Sequence, residues 1–407
     1  MNVVTSIRGL RVAGVLAVAA LAGSAVAQSS PPKEYMGHWG VGTWLSRTRG
    51  VDYQAQIDLA NTPIKRDVVI LYESWLGNFP YAGPHMIANN AAMSAHLAKI
   101  SRDLAQFIPD VNFSGYAVID YETWFPVWTK LWNQPSTAGP EARDFDFKDD
   151  WEEYLKRSKP QVLAGLTGDA YQRALATTYN QAAQRFYLET LRECKRLRPK
   201  AKWGFYGFPY GEYYVDYAPY RDLWKSIDTN ELNWLFDAVD AIFPHVYTVK
   251  HTVEDREPLR TKPENSPAQN AQYIIENVKE AVRISRGKPV LAFVHFKHHP
   301  AAGPEWAGKW VPDTVIRQNL ELPKQAGAIG VVIWDFLENE QQFRELRDAL
   351  PSKILPTMTA VAVNPPSAPQ PKVAAGKTLP PKATKLPNGQ IVVGNAKTAP
   401  KVANVPN

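Results

Sequence analysis

The sequence predicts a parallel α/β fold closed into a TIM-like (β/α) barrel of seven strands. Three observations carry that prediction. Seven short runs, most of them continuous and rich in Val, Ile, Phe and Tyr, read as strands buried on both faces of a parallel sheet. Longer segments of helical periodicity lie between them. No Gly-rich phosphate loop follows any run, so a dinucleotide-binding sheet has no support. The 407 residues, 45% hydrophobic with 13 Trp, are enough for a sizeable core.

In chain order the runs cover 37–44, 67–72, 115–122, 202–208, 238–247, 289–295 and 328–334. The first helical segment, 89–107, places Met93, Leu97, Ile100 and Leu104 at the three- and four-residue steps of one helix face. The longest, 171–197, carries Phe186, Leu188 and Leu191 along one side. Segments 268–285, 313–326 and 338–350 complete the set. The acidic stretch 144–153, DFDFKDDWEE, reads as a helix start, where acids face the positive end of the macrodipole.

The two ends are read separately from the barrel, which is expected over 28–355. Arg8 and Arg11 precede a short apolar stretch, 12–22, and the small residues Ala25, Val26 and Ala27. This is the pattern of a secretory signal peptide over 1–27, which implies a secreted or periplasmic product. The apolar stretch is shorter than a membrane span, so an integral membrane protein is not expected. Beyond the barrel, 356–407 reads as a disordered, basic tail rich in Pro, Lys and Ala. From position 357 onward it holds nine Pro and six Lys with no Asp, Glu or Arg. Those six Lys and the two leader Arg account for more than the net charge of +6, leaving the barrel at about −2. The basic pI therefore gives no support to a nucleic-acid partner. Cys194 is the only cysteine, so no internal disulfide is possible, and its helical context reads as a packed thiol.

In a barrel the active site gathers at the C-terminal ends of the strands. The run 115–122 ends in Asp120 and Glu122. Residues two apart on a strand share a face, about 6–7 Å apart at the backbone. Two such carboxyls disfavour each other's ionisation, so one holds a proton near neutral pH, as a general acid requires. On spacing alone, a strand end with two solvated acids fits equally well. The other strand ends are Trp44, Tyr72, Tyr206, Tyr247, His295 and Trp334. Rings and acids around one cavity suit a carbohydrate, which offers C–H faces to stack and hydroxyls to bond. His295, His298 and His299 have no carboxylate at ligand spacing, so they read as a solvated loop rather than a metal site. No cofactor is expected.

These residues resemble the hyaluronidases, glycoside hydrolase family 56. The resemblance rests on ILYESWLGNFPY (70–81), the AVIDYETWFP pattern within 113–133, WGFYGFP (203–209), GVVIW (330–334) and, more weakly, IFPHVY (242–247). It covers about 67–350 and implies a distorted seven-stranded barrel. It also implies roles. Glu122 would be the catalytic acid/base, and Asp120 would hold the substrate's acetamido group. Tyr206 and Tyr247 would hydrogen-bond around that group, Trp334 would shape its pocket, and Tyr72 would line the groove. Trp124 and Phe125 are expected at the substrate. Phe125 stands where the family usually has an Arg able to hold a uronate carboxylate. The missing disulfides and the type of leader point to a bacterial member.

The expected activity is a retaining endo-glycosidase that cleaves N-acetylhexosaminide bonds in a hyaluronan- or chondroitin-like polysaccharide. Two carboxyls on one strand face cannot readily flank both faces of a sugar ring. If the substrate's own acetamido oxygen is the nucleophile, as the resemblance implies, one protein carboxyl suffices as acid and then base. Two alternatives stand beside it, a hydrolase of another N-acetylated bacterial surface or wall glycan and a non-catalytic glycan-binding barrel. The expected partner is the polysaccharide, and a monomer is the expected state.

Overall fold

The computed structural model describes residues 34–81, 83–131, 133–135, 144–209, 218–248, 267–298, 305–335, 337–363, 383–385 and 391–393. The expected leader, His299 and most of the expected tail lie outside them.

The strands of the first part are β1 (Met36–Trp39), β2 (Ile64–Lys65), β3 (Val68–Tyr72) and β4 (Tyr116–Asp120). A short antiparallel pair follows, β5 (Asn133–Pro135) with β6 (Asp144–Asp146). Then come β7 (Lys202–Phe205), β8 (Leu291–Val294) and β9 (Gly330–Ile333). Parallel pairing runs β3-β4-β7 and, separately, β2-β1-β9-β8. The run expected over 238–247 links the two groups. It forms parallel bridges from Phe243 to Tyr206, from Ile242 to Val290 and from His245 to Phe293.

That run is not a regular strand, and its sequence shows why. Pro244 has no N–H to give to a ladder. The backbone bonds alternate around it, with Gly207 N donating to Phe243 O and Phe293 N to Pro244 O. Its first residue, Ala238, closes helix α6 instead (Asn233–Ala238). The approach to β7 is close enough to need a glycine. A Cβ on Gly204 would lie 2.3 Å from the Ala241 carbonyl oxygen.

No strand pairing joins β1 to β3 among the described residues. There His38 Nδ1 meets Asp67 Oδ1 at 2.6 Å, tying β1 to the residue before β3. The barrel is thus distorted, its strand pairing open between β1 and β3 among the described residues.

Strand alternation divides the apolar residues into two layers. Val68, Ile70, Tyr116, Val118, Phe243, Leu291, Phe293 and Val332 fill the lumen. Leu71, Ala117, Ile119, Tyr121, Trp203, Ala292 and Val331 face outward into the layer beneath the helices.

The helices follow the sequence closely. Asn89 caps α2 (Asn90–Phe107) by accepting from Ala91 N and Ala92 N. The long α4 spans Gly168–Leu197. The C-terminal half has α7 (Pro267–Ser285), α8 (Asp313–Gln325) and α9 (Glu340–Ala349). Cys194 is fully buried on α4.

Other expectations are corrected. The first strand stops at Trp39, because Gly42 takes a left-handed turn (φ +84°) that opens α1 (Thr43–Arg49). Trp44 is therefore a helix residue. The acidic stretch 144–153 begins as β6, and α3 (Phe147–Ser158) starts only at Phe147. Lys297 and His298 are buried, 3% exposed each, and His295 likewise at 1%, so the stretch after β8 is not a solvated loop. The folded body also runs past 355, since α10 (Leu355–Val363) buries Met358 and Val361.

Arg198, 5% exposed, joins the ends of two helices. Its guanidinium donates to Ile108 O (2.6 Å), Leu104 O (2.8 Å) and Leu197 O (2.8 Å). Replacing it with Ala leaves these carbonyls without their donors. We expect a loss of about 2–4 kcal/mol in urea denaturation.

Candidate active site

β4 brings Asp120 to the mouth of the lumen, on the face that carries Tyr116 and Val118. Glu122 lies just beyond the strand's last residue. Tyr121 points away, into the outer layer, and its hydroxyl donates to Leu76 O at 2.7 Å. The alternation expected from spacing is therefore present.

Glu122 opens to solvent, yet protein surrounds it closely. Burial first, and the charge of Glu73 second, push its carboxyl up to about 7. Asp120 is held well above the usual carboxylate range by burial, then by Glu122 and Glu73. Three carboxyls crowded together hold at least one proton near neutral pH. The Asp120 Oδ1 atom is buried without a hydrogen-bond partner.

Aromatic residues from the other strand ends complete the wall. Trp334 Nε1 donates to Tyr72 OH at 3.0 Å. Tyr206 and Tyr247 stack at 6.3 Å and share a hydrogen bond. Tyr247 also stacks on Trp334 at 5.5 Å. Burial first, with Asp120 and Glu122 adding to it, keeps Tyr72 and Tyr247 protonated. The structure thus brings together Asp120, Glu122, Tyr72, Tyr206, Tyr247 and Trp334. Such a wall offers hydroxyl donors and ring faces around an acid that keeps its proton, which is what protonating a glycosidic oxygen requires.

One expected substrate residue, Trp124, is placed differently. Trp124 is 1% exposed and stacks on Phe79 at 5.3 Å within the helix-facing layer. It supports the loop after β4 rather than lining the groove. Phe125 is half-buried against the same layer, and the Lys130 amine lies 5.9 Å from its ring. The loop's backbone is held by α4. Tyr179 OH donates to Phe125 O (2.6 Å), and Asn180 Oδ1 accepts from Trp128 N (2.7 Å).

Sequence reasoning missed Glu73. One carboxylate oxygen accepts from the backbone N–H of both Glu122 and Thr123, and the other accepts from Thr123 Oγ1 at 2.6 Å. Strand alternation turns a residue next to Tyr72 outward, so no periodicity pointed to it. A turn after β3, with Trp75 N donating to Tyr72 O at 2.8 Å, sets its course instead. The available signal was an acid directly after a strand-end tyrosine. His245 was also not assigned to the site; its ring and that of His295, a strand-end residue, lie 5.9 and 4.5 Å from that of Tyr247.

The loop carrying Glu73 is anchored by α2. Asp103 accepts from Gly77 N at 2.7 Å. His96 contacts Asn78 O (3.1 Å) and Thr190 Oγ1 (2.8 Å). Gly77 packs on the imidazole so closely that a Cβ there would lie 2.4 Å from it. Burial pushes His96 down from 6.5 to about 4. A depressed histidine binds its proton more readily when unfolded. Stability is therefore present at neutral pH and lost as pH falls between those two values. Urea midpoints measured across that range should decline, and a His96→Gln variant should show a shallower decline.

A distorted (β/α) barrel whose strand ends gather paired acids among tyrosines and tryptophan defines a glycoside hydrolase. Comparison with known proteins narrows the class. A family model described as hyaluronidase matches residues 49–365. The hyaluronidase of Polistes annularis is 24% identical over 82% of this chain and 88% of its own length. Human hyaluronidase-1 is 28% identical over 76% of this chain and 69% of its own. The crystal structure of bee venom hyaluronidase superposes with a TM-score of 0.61 at 22% identity, covering 80% of this chain and all of that one. The chain belongs to the hyaluronidase family, glycoside hydrolase family 56.

Proposed function

We propose that this enzyme hydrolyses N-acetylhexosaminide bonds within a hyaluronan- or chondroitin-like polysaccharide, with retention of configuration. The observation that carries the reading is the pairing of Asp120 and Glu122 at the end of one strand, inside the wall of Tyr72, Tyr206, Tyr247 and Trp334. Glu122 with its raised pKa donates a proton to the leaving oxygen. Asp120, whose buried Oδ1 has no partner, accepts the acetamido N–H and turns that group's oxygen toward the anomeric carbon. The acetamido oxygen then forms the cyclic intermediate, and Glu122 as carboxylate activates the water that opens it. Tyr206 and Tyr247 bond around the acetamido group, and Trp334 closes its pocket.

Relatives named hyaluronidase and a bee venom hyaluronidase solved with a hyaluronic acid tetramer support the choice of polymer. A second substrate reading, another N-acetylated surface or wall glycan, is favoured by Phe125 in place of the family's Arg and by the slightly negative barrel. Export by the leader, to a secreted or periplasmic location, and a monomeric state belong to the same proposal. No helix among the described residues is long and apolar enough to cross a membrane.

The test is mass spectrometry of products from hyaluronan, chondroitin, heparosan and peptidoglycan. Fragments carrying one added water and ending in a reducing N-acetylhexosamine are expected from the first two. Cleavage of peptidoglycan alone selects the second reading. Binding without cleavage of any polymer overturns the enzyme mechanism.

A further inference from the structure

We propose that Glu73 is a positioning residue for Glu122: its carboxylate takes over where the sheet stops holding the catalytic loop. This inference rests on the role assigned to Glu122 above. The paired ladder of β3 and β4 ends at Tyr72 and Asp120. Glu122 lies beyond it, in a loop with no strand neighbour to fix its backbone. Glu73 supplies what the ladder no longer does. Its carboxylate gathers Glu122 N, Thr123 N and Thr123 Oγ1, and Tyr81 adds a further hydrogen bond. Burial pushes the Glu73 carboxyl above its ordinary range, and the converging donors oppose that shift; the group acts as an acceptor at both oxygens, as an ionised carboxylate does.

Two consequences follow. The first is geometric. The direction in which the Glu122 side chain leaves the backbone is set by the peptide units that Glu73 grips. A misplacement of about 1 Å at such a group can cost about a hundredfold in rate. The second is electrostatic. A negative charge fixed beside Glu122 disfavours a second one there, so the acid keeps its proton toward neutral pH. A neutral acceptor such as an amide could satisfy the same N–H groups, but only a carboxylate does both. Glu73 itself touches no reacting atom in this arrangement. Its work is to aim Glu122 and to keep it protonated.

Glu73→Gln separates the two effects, because Gln keeps an acceptor for the backbone N–H groups and removes the charge. The experiment is a carbon NMR titration of the full chain labelled at the glutamate carboxyls, with the Glu122 resonance identified by its loss in Glu122→Gln. In Glu73→Gln the Glu122 midpoint is expected to fall by about one pH unit. The alkaline limb of kcat should move down equally, with KM within about threefold of wild type. Glu73→Ala, which also frees the backbone, should lower kcat by a further factor of about 10–100. If Glu73→Ala does not fold, the Gln variant still decides. An unchanged Glu122 midpoint in Glu73→Gln overturns the proposal. The titration needs no substrate, so an inactive wild type would count against the proposed function and not against this inference.

Discussion

Replacing Glu122 with Gln is expected to lower kcat on the cleaved polymer by about 10²–10⁴-fold, with KM changed severalfold at most. The amide keeps the size of the side chain and removes the proton that the leaving oxygen needs. Glu122 opens to solvent, so the substitution should leave the thermal midpoint close to wild type. The pH profile carries the same information in the intact enzyme. With the acid raised to about 7, activity should fall as pH rises through that value, because the proton is then lost before substrate binds. In Glu122→Gln this limb should vanish. Initial rates of reducing-end formation from pH 4 to 9, for both proteins, are sufficient to check it.

Asp120→Asn is expected to cost about 10²–10³-fold in kcat. Asp120 Oδ1 is a buried acceptor with nothing to accept in the free enzyme, and a buried polar atom left unpaired is costly. Binding a substrate amide N–H there repays that cost and favours the ionised form of a carboxyl that burial otherwise keeps well above its usual range, and that form supports the positive charge that develops as the acetamido oxygen attacks. Asn retains the shape and loses the charge, and its NH₂ can occupy the position of Oδ1. The loss should be much smaller on any substrate that lacks the acetamido group. Measuring kcat for Asp120→Asn on an acetylated polymer and its de-N-acetylated counterpart checks this.

Most of the barrel was legible because its rules are local. The runs ending at Tyr72, Asp120 and Trp334 are apolar without interruption, and such runs have few options other than a doubly buried strand. The long α2 and α4 carry clear helical periodicity. What was not legible depends on single backbone events. Gly42 turns the chain into α1, so the first strand stops at Trp39, five residues before the expected end of its run at 44. Pro244 removes a donor from the run over 238–247, so composition read as a strand what the backbone makes as separate bridges.

The site shows the same division. Asp120 and Glu122 were found by two-residue spacing, and Tyr72, Tyr206, Tyr247 and Trp334 by their positions at strand ends. Trp124 was misplaced because a motif neighbour of Glu122 need not share its face. The loop after β4 turns that indole back onto Phe79. Glu73 was missed because its function depends on where a loop folds back, and no periodicity records that. The lysine beside Phe125 was likewise invisible, since Lys130 reaches that ring only through the turn between them.

The central claim is that the substrate's acetamido oxygen attacks and Glu122 serves in turn as acid and base. Proton NMR of the first minutes of polymer cleavage tests it most directly. Two displacements at the anomeric carbon return the original configuration, so the first-formed reducing end should be the β-anomer, with the α-anomer growing in only by later mutarotation. An α-anomer formed first would contradict the account, and so would an unsaturated uronate in place of a hydrated product.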